Sequence, residues 1–134
     1  MITPTIKDSV LKWLCDNMPV EQYRPVNLQS LFKETNLTFD TIEPILQYFN
    51  RLGLIGELNA RRTSTLLLLR IEAHDFLSRG GFIAQEEIFK KEIEKLIIEI
   101  ENFKKQLKPD QLETAEKLST IASAILSGIT LFVK

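Results

Sequence analysis

The stretch LTFDTIEPILQYFNRLGLIGEL, Leu37 to Leu58, changes its periodicity in the middle. Up to Leu52 the apolar residues Ile42, Ile45, Leu46, Phe49 and Leu52 recur at three- and four-residue intervals, the spacing of one helical face. Asp40, followed three residues later by Glu43, reads as a capping box. Pro44 reads as a first-turn proline, where the missing N–H costs least. Gly53 stops the helix. Beyond it, LIGEL and TSTLLLLRI are rich in strand formers and are separated by the polar NARR. This pattern predicts a β-hairpin with its tip near 59–63. The run Leu66–Leu69 is apolar on both faces. One face covers the helices, and the other needs a second cover from the C-terminal helices or from a partner.

Upstream of this stretch, Ile6, Val10, Trp13, Leu14 and Met18 keep helical spacing, with Leu11 and Cys15 beside them and Asp8 and Lys12 on the outer face. Pro19 ends that helix. YRPVN is short and extended. Leu28, Leu31 and Phe32 share one face of a brief helix over 28–35, and Asn36 suits its left-handed terminus. The second and third helices are thus joined by a tight turn, at the spacing of a helix-turn-helix. Downstream, EAHDFLSRG predicts a short helix with Phe76 and Leu77 turned inward.

Three helices followed by a hairpin is the order of a winged helix-turn-helix domain. The 37–58 stretch resembles that superfamily's junction of third helix, Leu-Gly-Leu-Ile and first wing strand. LRIEAHDFLSRGGF resembles the segment after the wing in small uncharacterised bacterial winged-helix proteins, which often continue into a charged helix and an apolar tail. Ala73 stands where those relatives often carry Gly. The resemblance implies a mainly α fold with a small β-hairpin wing, followed by long C-terminal helices. It also implies a DNA-reading helix, with Thr38, Asp40, Thr41, Glu43, Gln47, Asn50 and Arg51 at the reading positions and Arg61 and Arg62 at the wing tip. Gln47 and Asn50 suit adenine edges, whereas Asp40 and Glu43 carry the wrong sign for a surface near phosphates. Arg24 and Lys33 would extend a basic patch.

Composition tempers that expectation. The chain of 134 residues has 17 Lys and Arg against 18 Asp and Glu, so there is no global electrostatic footprint for nucleic acid. Residues 1–82 hold nine basic and nine acidic side chains. A near-neutral face of this kind also suits docking of another protein. One cysteine, Cys15, and one histidine, His74, give neither a disulfide framework nor a metal-ligand set. No phosphate loop and no nucleophile–base pair is present, so the expected molecule is a non-enzymatic binding module without cofactor or metal. Without a secretory signal at its start, it is expected in the cytoplasm.

All six arginines lie between Arg24 and Arg79, while eight lysines and nine acids lie from Glu86 onward. That shift, with Gly80-Gly81 read as a hinge, predicts a winged-helix domain over 1–82 and an oligomerisation or anchoring region over 83–134. Within the latter, Glu86 to Lys108 predicts one helix. Phe89, Ile93, Leu96, Ile100, Phe103 and Leu107 alternate spacings of four and three, a heptad seam for self-association as a dimer or higher oligomer. Ile88 and Ile97 widen it. Asp110 reads as the cap of a last helix starting near Gln111.

The uncharged run Leu118–Val133 admits three readings: a short membrane span flanked by lysines, a helix buried in an oligomer core, or one packed within its own chain. Its serines at 119, 123 and 127, with Ala124 and Gly128, form small-residue ladders that allow close helix approach. The alternative function is accordingly a membrane-associated protein–protein adaptor.

Overall fold

The computed structural model describes the backbone of residues 1–132 and the side chains of residues 1–127. Among these the protein is mainly helical, with a small three-stranded antiparallel sheet. Two compact units divide the chain, Met1–Gln85 and Glu86–Lys134.

The first unit opens with α1, Pro4–Asn17. The Thr3 hydroxyl accepts the Ile6 N–H at 3.2 Å and proline follows it directly, a favoured helix start. The helix ends just before Pro19, with Met18 extended and its N–H on the Leu14 carbonyl. β1, Tyr23–Pro25, leads to α2, Leu28–Thr35. Asn27 caps α2 by accepting the Ser30 N–H at 3.1 Å, and Asn36 closes it in the left-handed conformation at φ 57°.

α3, Phe39–Leu52, departs from expectation at its start. Its N-cap is Thr38, so Asp40 and Glu43 form no capping box. Because the helix begins at Phe39, Pro44 falls in the second turn rather than the first, and the N–H it lacks would have met the Asp40 carbonyl. The helix runs past it to Gly53, whose φ of +78° suits a residue without Cβ. Ile42, Ile45, Leu46 and Phe49 are buried, whereas Leu52, placed on the inward face by the periodicity, is about half exposed.

β2, Ile55–Asn59, and β3, Leu66–Leu69, pair antiparallel, and β1 pairs with the other edge of β3. The expected two-stranded hairpin is therefore a sheet of order β1-β3-β2. Its register slips between Gly56 and Asn59, where Glu57 takes φ 52°, a bulge that twists the strand leading into the loop. Leu67 and Leu69 are fully buried against the helices; Leu66 and Leu68 on the other face are half-buried, opposite Pro25 and Tyr23. α4, Ile71–Ser78, follows, with Phe76 and Leu77 packed on the core.

α5, Gly81–Lys105, begins inside the first unit. Phe82 is 4% exposed. Its ring stacks on Phe49 with centroids 5.6 Å apart and meets Phe76 at 4.5 Å. Asp8 of α1 accepts the N–H groups of Phe82 at 2.7 Å and Ile83 at 3.1 Å. A side chain from 74 residues away thus supplies the cap that α5 lacks locally. Gly81 has φ +68°, and a Cβ there would overlap the Asp8 carboxylate. Gly80-Gly81 is therefore a tied-down turn and not a hinge, and Asp8 is an internal cap and not merely an outer-face residue. Asp8→Ala is expected to lower stability by about 1–2 kcal/mol, and Asp8→Asn by less, in urea unfolding followed by the single tryptophan, Trp13.

In the second unit α5 stops at Lys105, three residues short of the expected Lys108. A 3-10 turn, Pro109–Gln111, leads into α6, Leu112–Phe132. The Gln111 side chain accepts the Lys108 N–H at 2.9 Å, in place of the cap expected from Asp110. Among the described residues no helix is long and apolar enough to cross a membrane. Val133, and the side chains of Leu118–Val133 from Gly128 onward, lie outside the described residues.

Candidate nucleic-acid interface

α3 buries one side in the core and presents the other. Gln47, Asn50 and Arg51 are exposed, at the i, i+3 and i+4 spacing that places them on a single face. Pro44 and Asp40 are exposed one and two turns earlier on the same face, and Glu43 and Thr41 are half-buried. From Asp40 to Arg51 the face runs about 16 Å along the helix axis.

Arg61 and Arg62 lie in the loop between β2 and β3, both exposed. Thr65 sets the shape of that loop. Although polar, it is 1% exposed; its hydroxyl donates to the Arg61 carbonyl at 2.8 Å and accepts the Arg61 N–H at 3.3 Å. Its carbonyl takes the Val26 N–H at 2.8 Å, which ties the loop base to β1. Sequence reasoning missed Thr65; a lone β-branched hydroxyl before an apolar run carries no distinguishing signal.

The loop folds back onto α3. The Arg62 guanidinium pairs with the Asp40 carboxylate and lies 5.3 Å from the Phe39 ring centroid. Both partners of the ion pair are largely exposed, at 66% and 73%, so the pair contributes little to stability. Its effect is electrostatic: the Asp40 carboxylate is paired with one of the two loop arginines. Among the described residues Arg61 is left as the loop cation without such a carboxylate contact. Arg51 lies 5.7 Å over the Tyr48 ring. The structure thus joins Arg62 to the start of α3 and aligns Gln47, Asn50 and Arg51 further along it. Arg24 sits on β1, its guanidinium held by Gln22 at 2.9 and 3.2 Å, and Lys33 is exposed on α2.

The heptad residues occupy one stripe of α5. Phe89, Leu96 and Phe103 are 47%, 43% and 52% exposed, and Ile93 and Ile100 are half-buried. Leu107, expected to close the seam, lies past the helix end in the turn, its N–H on the Lys104 carbonyl at 3.2 Å.

Cys15 is half-buried, and its thiol is pushed up to about 11, first by burial and then by the charge of Asp16. Its thiolate fraction near pH 8 is roughly a hundredfold below that of an ordinary thiol. Alkylation of the native chain is accordingly expected to be slow until the chain is unfolded, as timed by iodoacetamide labelling. His74 is exposed on α4, and among the described residues no group of three or more His, Cys, Asp or Glu is placed to hold a metal ion. Trp13 Nε1 is buried without a hydrogen-bond partner among the described residues. Neither a family model, nor a curated protein, nor a solved structure matches the chain.

Proposed function

We propose that the Met1–Gln85 unit is a winged helix-turn-helix module that binds duplex DNA, and that the protein is a non-enzymatic regulator oligomerised through its C-terminal helices. The supporting order is α1, β1, α2, a three-residue link, α3 and then the β2–β3 hairpin. One observation carries the DNA reading. A helix that buries Ile42, Ile45, Leu46 and Phe49 presents Gln47, Asn50 and Arg51 together on its outer face, and the arginine-bearing loop docks at the same helix's first turn. In that arrangement α3 enters the major groove. Gln47 and Asn50 meet base edges, while Arg51 and Arg61 meet phosphates. Arg62 orients the loop through Asp40.

Arg61→Glu with Arg62→Glu is expected to abolish a gel shift of random-sequence duplex that the native chain gives at low salt. The unfolding free energy should stay within about 0.5 kcal/mol of the native value, since both side chains are at the surface. An unchanged shift in the variant would remove the loop from the account. No shift with the native chain would remove DNA.

A second reading makes the protein a membrane-associated adaptor whose first unit docks a protein. Its support is the balanced charge of residues 1–82 and the exposed apolar Ile121 within the uncharged tail. Fractionation of the full chain against a version ending at Lys117 separates the readings. Membrane pelleting that needs the tail favours the adaptor.

A further inference from the structure

The α5 stripe is bordered by charges of opposite sign on its two flanks. With Phe89, Leu96 and Phe103 at heptad position d and Ile93 and Ile100 at position a, Lys90, Ile97 and Lys104 fall at e, and Glu92 and Glu99 at g. The stripe side chains Phe89, Leu96 and Phe103 are each about half exposed in the single chain, so this face has no complete cover of its own. We infer that the occupant is a second copy of the same helix, lying parallel and in register. This rests on the oligomerisation reading above and specifies its geometry.

Two features select that occupant. In a parallel pair, each g residue faces the e residue five positions on in its partner, so Glu99 meets Lys104 of the other copy, twice by symmetry. In an antiparallel pair g faces g and e faces e, which sets glutamate against glutamate and lysine against lysine. The core composition agrees: β-branched Ile at both a positions with Leu at the central d position is the combination that favours two parallel strands. Ile97 at e extends the apolar contact where no charge pair is needed. Lys104 also lies 3.4 Å from Glu101 of its own chain, its side chain 24% exposed and that of Glu101 52%, and this contact exchanges for Glu99 of the other copy on pairing. The seam covers only about two heptads within α5, so the dimer is expected to dissociate on dilution.

Disulfide trapping in the full chain tests this, with Cys15→Ser as background. Phe89→Cys and Phe103→Cys are each oxidised alone and as a mixture. Homodimers linked at 89 and at 103, with little 89-to-103 product, are expected. Crosslinking found only in the mixture means antiparallel helices, which overturns the inference and leaves oligomerisation standing. A native chain that is monomeric by light scattering at every concentration overturns both.

A second measurement keeps the seam's aromatic residues in place. Glu99→Lys and Lys104→Glu should each weaken the dimer by about tenfold, and the double variant should recover it. Singles without effect, or a double variant weaker than either, would contradict the parallel pairing.

Discussion

Phe82→Ala is expected to lower the stability of the Met1–Gln85 unit by about 3–5 kcal/mol, the usual cost of emptying a buried aromatic site. Phe82 lies at the start of α5, yet it is 4% exposed and packs among Phe49, Phe76 and Tyr48. The Lys7 ammonium lies 4.8 Å from the Tyr48 ring and 5.1 Å from the Phe82 ring, so a cation covers the same cluster. Removing the ring leaves a cavity between α1, α3 and α4. It also loosens the residue whose N–H Asp8 holds. Urea unfolding followed through Trp13, itself 6% exposed, reads the loss directly. A change below about 1 kcal/mol would mean that the start of α5 does not belong to this core. Phe82→Leu refills much of the volume and should recover part of the loss.

Ile93→Asp with Ile100→Asp is expected to convert the protein to monomers. Each carboxylate at an a position would be taken out of water without a partner, which costs several kcal/mol per chain and doubles in a symmetric dimer. Light scattering across a concentration series reads the mass. The same variant should unfold through Trp13 at the native midpoint, because both residues lie in the Glu86–Lys134 unit. That pairing of readouts separates lost assembly from lost folding. DNA affinity should fall with the dimer, since one set of contacts no longer holds the second near the duplex. An unchanged mass would remove the α5 seam as the interface.

Periodicity and turn chemistry made much of the first unit legible. Leu28 to Thr35, the left-handed Asn36 and the stop at Gly53 follow from local rules that the packed chain does not override. The missing parts are non-local. Nothing near YRPVN shows that Tyr23–Pro25 will pair with Leu66–Leu69, more than forty positions away, and three residues are too short to show alternation. The cap of α5 is invisible for the same reason: Asp8 reads as one more polar residue on a helix surface. Asp40 and Glu43 satisfy the capping-box spacing, but Thr38 starts the helix two residues earlier and Asp40 is recruited by Arg62 instead. At the candidate site, Gln47, Asn50 and Arg51 were named only through the winged-helix resemblance, and their common exposed face follows from their positions on α3. Helical spacing carried no information on where the loop arginines would fold. In the second unit the heptad spacing ran one seam position too far, since Leu107 fits the repeat but lies two residues past the end of the helix at Lys105.

The central claim is that α3 and the β2–β3 loop of a dimer form a DNA-binding surface, and salt tests it most directly. We would titrate a fluorescein-labelled random-sequence duplex with the full chain and follow anisotropy between about 50 and 200 mM salt. With Arg51 and Arg61 of each copy on phosphates, the slope of log affinity against log salt should be roughly −3.6, a loss of about a hundredfold over that range. Undetectable binding at the lowest salt, or an affinity that does not change with salt, would contradict the account.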